Sequence, residues 1–399
     1  MNTSLPSALL MSGLALLATG DIAFCQAEDT APASGDNLSL ASIYESSAKS
    51  ARETGATGMK LCLAGRVGQG VQMIRKAADM GDTISTRNLG ICTIKGIGIT
   101  ADVPQGIRLL EKAAEQGDTH ALQSLCRVYL LLKDVRDPQK ACDYARKAAA
   151  ADKGAMLSYV AWHLAKEEPA LAFSCAEEAA GMDNEGEGKR ILANLYFTGL
   201  GCEKDEDKAE QLFREAAESN TLAQSGLMEL LAQRNKHDEL YAEAMKYAQG
   251  KSCDTARLAM FVLARLHLNG SGNVEKSAEK AFFWVKRGAE EGHVPSQSLL
   301  WKMYLEKNEF AHMYHWARQA ALQGDAGSQA MVARALFFGL GCDVDTEEAL
   351  LWARKALKSD MTPVLNDLLS ELRYKREFGD AKAADFISQL EQRSRVYGF

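Results

Sequence analysis

The sequence has little proline, few aromatic residues and no excess of positive charge. Its 399 residues include only 7 prolines, and aromatic residues make up 7% of the chain. No segment alternates apolar and polar residues as a half-buried strand does, so we expect almost no β-structure. The net charge of −7 argues against general binding to nucleic acids or to anionic membranes. Alanine, leucine, glutamate and lysine are abundant instead, and these residues favour helices.

One pattern recurs along the chain: a Gly-x-Gly turn, an acidic segment and an alanine-rich helix. Clear copies occupy residues 90–118, 195–220 and 336–360. A period of roughly 30–40 residues is typical of helix pairs stacked in a solenoid. Most units close on Lys/Glu-Ala-Ala or a variant of it, followed by a small or polar residue. We therefore predict nine helix pairs, which end near Asp82, Asp118, Lys153, Asn184, Asn220, Ser252, His293, Asp325 and Asp360.

The turn and closing motifs together resemble the Sel1-like repeat family, a relative of the tetratricopeptide repeats. The residues that carry the resemblance are Leu89-Gly90, Gly96-Ile-Gly98 and Lys112-Ala-Ala114, with copies at Tyr196, Gly199-Leu-Gly201, Glu215-Ala-Ala217, Gly270-Ser-Gly272, Lys280-Ala281, Trp284, Gly339-Leu-Gly341, Ala349 and Trp352. The resemblance implies an all-α fold, a right-handed α/α solenoid superhelix of about nine helix-turn-helix repeats. The third, fourth, sixth and eighth repeats lack the double-glycine turn, so we expect shorter loops there.

The first 27 residues are predicted to be a signal peptide. Leu9–Leu17 is apolar but too short to span a bilayer, and Cys25-Gln26-Ala27 offers a cleavage site before Glu28. No Lys or Arg precedes the apolar stretch, and Phe24 disfavours lipidation of Cys25. We expect export to the bacterial periplasm, with secretion from the cell as an alternative. The other predicted segments are a flexible leader with an optional first helix at 28–52, the solenoid at 53–360 and capping helices at 361–399.

Eight cysteines remain after the predicted cleavage, and an even number is compatible with disulfides. Cys126 and Cys142 are equidistant from a predicted turn at Lys133–Asp137, so a helical hairpin would place them at the same height. They form the first disulfide candidate. The further candidates are the pairs Cys62–Cys92 and Cys175–Cys202. The alternative is that these cysteines fill small sites in the core.

The sequence contains no recognisable catalytic or metal-binding motif. It has no CxxC, HExxH, G-x-S-x-G or phosphate-binding loop, and no strand is predicted before the Gly-x-Gly turns. His312 and His315 lie three residues apart on a predicted helix, but no third ligand accompanies them. Ser46 and Lys49 have Ser-x-x-Lys spacing within a polar segment. We therefore expect no catalytic residue, no metal site and no cofactor.

Candidate binding residues come from the register of the repeats. The position after a recurring small residue in each first helix is basic in three successive late repeats, at Arg265, Lys302 and Arg334. The first helices usually line the concave face of such solenoids, so these residues are predicted to form a ladder for an acidic protein segment. Ordinary solvation of an exposed position is the alternative. His312 and Tyr314, in a strongly aromatic segment, are further candidate contacts.

These observations favour an exported, non-enzymatic scaffold, expected to be monomeric, that binds a protein partner on its concave face and does not insert into the membrane. One alternative is an immunity protein that neutralises an antibacterial effector of a type VI secretion system, such as a phospholipase. Others are a secreted factor directed at a host and a β-lactam-binding protein. All of these roles are compatible with the sequence.

Overall fold

The computed structural model describes residues 40–182, 185–250, 253–358 and 363–394, so the predicted signal peptide lies outside the described residues. Within these ranges the chain forms twenty α-helices and no strand. The helices are α1 Leu40–Leu63, α2 Val67–Asp79, α3 Thr83–Lys95, α4 Val103–Glu115, α5 Thr119–Leu131, α6 Pro138–Asp152, α7 Ala155–Leu164, α8 Pro169–Ala180, α9 Glu187–Thr198, α10 Glu206–Ala216, α11 Thr221–Gln233, α12 His237–Ala248, α13 Asp254–Asn269, α14 Ala278–Glu290, α15 Val294–Glu306, α16 Phe310–Leu322, α17 Ala326–Phe338, α18 Thr346–Leu357, α19 Pro363–Glu377 and α20 Ala381–Ser394.

Consecutive helices form pairs, α1 with α2 through α19 with α20, and each second helix also packs against the first helix of the next pair. This arrangement confirms the predicted all-α solenoid of helix-turn-helix repeats. The first nine pairs correspond to the nine predicted units, and α19 and α20 add a tenth. One detail differs at the start of the chain. The predicted boundary at Glu53 falls inside α1, which runs unbroken from Leu40 to Leu63.

Loop length follows the glycine pattern. The connection Gly199–Asp205 contains two glycines in the left-handed region, with φ of 72° at Gly199 and 77° at Gly201. A Cβ on Gly201 would lie 2.0 Å from the Pro169 carbonyl oxygen, so a side chain does not fit there. Repeats without the motif have shorter connections, such as Arg234–Lys236 between α11 and α12. The expected difference in loop length is confirmed.

Alanines on the second helices form much of the core. Ala113, Ala179, Ala216 and Ala356 are each fully buried, as are the equivalent alanines Ala77, Ala148 and Ala320. A small side chain at these positions lets a second helix approach both the first helix of its own pair and that of the next pair. Large residues such as Trp301 fill the remaining space. The result is a series of apolar clusters that follow one another along the array.

A charged cluster joins the fifth pair to the sixth. The Glu210 carboxylate of α10 lies 2.9 Å from Arg214 Nη2, 2.6 Å from Arg234 Nη1 and 2.9 Å from Lys236 Nζ. Its side chain is only 10% exposed, and the cations around it also lie near other carboxylates, such as Glu239 beside Arg214 and Asp207 beside Arg234, so Glu210 is the shared centre of a larger network. Burial alone would raise the pKa of Glu210, but hydrogen bonds from Lys236 and Arg214 outweigh it and hold the pKa below its ordinary value.

We expect Glu210→Gln to lower the free energy of unfolding at pH 7 by about 2 kcal/mol, since charge-assisted hydrogen bonds are lost. The depressed pKa means that the carboxylate stabilises the fold above its ordinary value of 4.5. This stabilisation disappears as the pH falls through the pKa of the folded state. Urea unfolding between pH 7 and pH 3 should therefore show the difference from wild type shrinking with acid. Glu218→Gln, at an exposed carboxylate without an ion pair, is the control. A difference independent of pH contradicts this account.

Candidate protein-binding face

The first helices form the inner layer of the array. From α1 to α13 each first helix contacts the first helix of the next repeat, and α17 contacts α19 in the same way. The second helices of neighbouring repeats contact one another extensively only at α18 and α20 within the described chain. Closer packing of the first helices is what the concave side of a curved solenoid requires. The surface of this layer is therefore the candidate binding face.

One position per first helix projects from this layer, and we call these residues the inner ridge. Each follows a buried residue, such as Ala264 before Arg265, and each is itself partly or fully exposed. The inner ridge consists of Ile91, Arg127, Trp162, Asn194, Glu229, Arg265, Lys302 and Arg334. These positions recur in the same register from α3 to α17, although direct contact between successive first helices is weaker from α13 to α17.

Arg265 and Lys302 are the two predicted ridge cations that keep their charge available. No carboxylate in the described part of the chain lies within ion-pair distance of either group. The Arg265 guanidinium lies 6.0 Å from the Phe261 ring centroid, and Lys302 Nζ lies 5.4 Å from the Trp301 ring. Such cation–π contacts hold the stems of the side chains against the helix without neutralising the charge.

Arg334 departs from the predicted ladder of three basic residues. Its Nη2 atom lies 3.2 Å from Glu371 Oε2 on α19, so this guanidinium has an intramolecular partner. The prediction treated residues 361–399 only as a cap. The tenth pair in fact packs on α17 and brings an acidic residue against Arg334. The available basic surface is therefore shorter than predicted and consists of Arg265 and Lys302.

His312 and Tyr314 do not lie on the inner ridge, because both belong to α16, a second helix. The His312 ring stacks on Tyr304 at 4.9 Å, and its Nδ1 lies 3.3 Å from Glu309 Oε2. Tyr314 is half-buried, and its hydroxyl accepts a hydrogen bond of 2.7 Å from Arg318 Nη1. Tyr314 is held by contacts within the repeat, whereas the His312 side chain is 65% exposed on a second helix, away from the inner ridge.

Trp162 is an inner-ridge residue that the sequence prediction missed. Its side chain is 39% exposed, which is unusual for a tryptophan, and the Arg190 guanidinium lies 5.5 Å from its ring. Nearby on the same layer, Arg127 lies 5.8 Å from the Tyr159 ring, which in turn contacts His163. The signal was available, because counting the same register into α7 leads to Trp162. An exposed aromatic residue beside arginine is a common anchor at protein interfaces.

Glu229 separates Trp162 and Asn194 from the basic end of the ridge. It occupies the ridge position of α11 and is partly buried. Burial raises the pKa of this carboxyl, and the amide of Gln233 only partly offsets the effect. The ridge thus presents an aromatic site near its middle and a basic site nearer its C-terminal end, with a poorly solvated carboxylate between them.

The cysteines are arranged differently from the predicted pairs. All eight cysteines in the described residues are unbonded, and the one sulfur–sulfur contact recorded among them joins Cys142 of α6 to Cys175 of α8, at 2.8 Å. The hairpin prediction paired Cys142 with Cys126, which is also buried but is not the residue whose sulfur contacts Cys142. The hairpin argument considered only one repeat. The observed contact forms between neighbouring repeats.

The other two predicted pairs, Cys62–Cys92 and Cys175–Cys202, also show no sulfur–sulfur contact among the described residues. The Cys202 thiol donates a hydrogen bond to the Leu195 carbonyl at 3.6 Å and not to Cys175. The Cys62 thiol lies 3.9 Å from the Val67 carbonyl, and burial raises the pKa of Cys92 to about 11. Both thiols of that pair are therefore held in their protonated forms by their surroundings.

The described residues contain no group of three or more His, Cys, Asp or Glu side chains placed to hold a metal ion. Among them, no helix combines the length and the apolar character needed to cross a bilayer. A regular array of antiparallel helix pairs with a continuous inner face defines the class, an α/α solenoid like those of tetratricopeptide repeats.

Comparison with known sequences identifies the repeat. Sel1 repeats are recognised in residues 84–118, 121–153, 187–220, 257–293, 314–325 and 326–361. The chain belongs to the Sel1 repeat family, whose members typically act as scaffolds for protein–protein interaction. The resemblance seen in the Gly-x-Gly and Ala-Ala motifs is thereby confirmed. No curated protein matches the sequence.

One solved structure agrees with the fold. A Sel1 repeat protein from Oxalobacter formigenes is 22% identical, with a TM-score of 0.53 over 84% of this chain and 91% of that protein. A protective antigen present in uropathogenic Escherichia coli strains, which displays an SLR fold, is 24% identical over 82% of this chain and 72% of that protein, with a TM-score of 0.49. At such identity, the Oxalobacter protein supports the fold alone.

The two tryptophans Trp162 and Trp301 should respond very differently to truncation. Trp301 is 2% exposed, and its Nε1 donates a 2.8 Å hydrogen bond to Ser328 Oγ. We expect Trp301→Ala to cost about 3–5 kcal/mol of folding free energy. Trp162→Ala should cost clearly less, about 1–2 kcal/mol, because 39% of this residue already faces solvent. Denaturant unfolding of both variants measures this. An equal loss would show that Trp162 is a packing residue and not an available contact.

Proposed function

We propose that this protein is an exported, non-enzymatic scaffold of the bacterial periplasm that binds a protein partner along its inner ridge. The observation that carries the proposal is the pair Arg265 and Lys302. These two cations occupy equivalent positions in neighbouring repeats and have no ion-pair partner in the described chain. The partner segment is acidic where it crosses this pair.

The charge distribution supports an acidic segment. The whole chain carries a net charge of −7, so an acidic partner segment needs local basic groups such as these to offset the general repulsion. Many other cations of the described chain are already paired, as Arg146 is with Glu178 and Arg334 with Glu371. Complementary charge at an interface mainly gives orientation and specificity. Arg265 and Lys302 therefore select the partner and set its position along the ridge.

Trp162 supplies the apolar contact that charge alone does not. Aromatic and arginine side chains contribute most of the binding energy at typical interfaces. Trp162 lies three repeats before Arg265 on the same ridge, so a partner that reaches both crosses α9 and α11. An extended segment or an elongated domain of the partner fits this span. The surface offers many modest contacts and few enclosed pockets, which favours a protein over a small molecule.

Charge reversal tests the binding face. The chain without residues 1–27 is immobilised and used to capture proteins from a native envelope extract, and the affinity of the captured partner is then measured. We expect Arg265→Glu with Lys302→Glu to weaken binding at least about tenfold, a loss of about 1.4 kcal/mol. The control is Arg108→Glu with Lys112→Glu, the same charge change on exposed positions of the second helix α4.

The possible results of the binding experiment distinguish the proposed roles from one another. Equal binding by the inner-ridge variant and wild type would remove this face from the proposal. Loss of binding in the α4 control would show that the effect is one of overall charge. A captured toxin or lipase would make the scaffold an immunity protein, and the absence of any stoichiometric partner would contradict the scaffold proposal itself.

Export is tested on the leader. Amino-terminal sequencing of the protein from a periplasmic fraction should begin at Glu28, because Cys25-Gln26-Ala27 provides small residues at the required cleavage positions. Ala27→Arg is expected to block cleavage and to retain the longer chain at the membrane. An amino terminus at Met1 in the cytoplasm would exclude export, and a lipid-modified Cys25 would show anchoring in place of release.

A further inference from the structure

We propose that Cys142 and Cys175 form a disulfide that links the third repeat, α5–α6, to the fourth, α7–α8. Their sulfurs lie 2.8 Å apart. Unbonded heavy atoms normally pack at about 3.5–4.0 Å or more. The spacing is also close to the bonded distance of about 2.05 Å, so only a small movement is needed to form the bond.

The surroundings hold the two thiols in this position. Both residues are fully buried, and both lie in the same apolar cluster. One turn further along each helix, Arg146 of α6 binds Glu178 of α8 through two of its nitrogens, at 3.0 Å from Nε and 2.8 Å from Nη2. This ion pair crosses the same gap between α6 and α8 and fixes the relative positions of the two helices.

Cys126 is the competing partner for Cys142. It is equally buried and belongs to the same cluster. A bond between Cys126 and Cys142 would lie within one repeat, whereas the bond to Cys175 connects two repeats. Each repeat of a solenoid is held only by contacts with its neighbours, so the bond to Cys175 would add a covalent link where the array has none. Because the short sulfur–sulfur distance is the one between Cys142 and Cys175, we assign the bond to these two residues.

The oxidation is a thiol–disulfide exchange. The Cys142 and Cys175 thiols lose two protons and two electrons and form one S–S bond. The oxidant is a disulfide, either of glutathione or of a dithiol oxidoreductase, and it takes up both electrons and both protons to become two thiols. Because both sulfurs are inaccessible in the folded protein, the bond forms as repeats three and four assemble. Once formed, it is protected from reductants in the native state.

Peptide mapping tests the assignment on the unaltered chain. The protein is refolded in a buffer of reduced and oxidised glutathione, alkylated without reduction and digested with trypsin. We expect peptide 141–146 covalently joined to peptide 167–189, and two fewer free thiols than in the reduced protein. A link from 141–146 to peptide 113–127 would assign the bond to Cys126 instead. Unlinked, fully alkylated peptides would overturn the proposal.

Variants show whether the bond stabilises the fold. Reductant should lower the unfolding midpoint of the oxidised wild-type protein only when it is present during unfolding. Cys142→Ala and Cys175→Ala should each abolish this dependence, whereas Cys126→Ala should retain it. A midpoint that depends on reductant in Cys142→Ala contradicts the assignment. The test needs no binding partner, so its result is independent of the proposed inner-ridge interaction.

Discussion

The structure depends on close approach between helices that are too short to be stable alone. Helices of about 13 residues are marginal in water, and here each one buries an apolar face against its pair and its neighbours. The alanines of the second helices, such as Ala113 and Ala216, set the distance of that approach. A larger residue there would push the next repeat away. Because these positions are small in most repeats, with Tyr247 of α12 as an exception, the repeats stack in one register, and the inner ridge is a consequence of that register.

Polar contacts between repeats refine the stacking. Arg87 of α3 binds the Asp118 carboxylate at 3.1 Å, and Asp118 also caps the amino terminus of α5. Ser298 of α15 makes the equivalent bond of 2.8 Å to Asp325, the cap of α17. In each case one carboxylate caps the amino terminus of a first helix and also bonds to the first helix of the preceding repeat. These acidic capping residues therefore also have a structural role between repeats.

Local motifs explain most of what the sequence predicted correctly. Gly199 and Gly201 specify a turn that other residues do not fit, and the Ala-Ala closings mark the ends of the second helices. The failures involve contacts between repeats. The link from Arg334 to Glu371 lies in a tenth pair whose motifs are weak, and the Cys142–Cys175 contact depends on how two repeats stack. Trp162 was overlooked although counting the same register into α7 leads to it. The sequence therefore predicted the fold of each repeat better than the surface that the repeats build together.

The proposed disulfide and the proposed binding face meet at α7. This helix lies between α6 and α8, which carry Cys142 and Cys175, and it presents Trp162 on the inner ridge. A bond between the flanking helices restricts the movement of α7 without touching the exposed ring. Binding by a rigid surface costs less conformational entropy than binding by a mobile one. An oxidised third and fourth repeat would thus offer Trp162 as a fixed anchor, while Arg265 and Lys302 on less cross-linked repeats select the charge of the segment that reaches them.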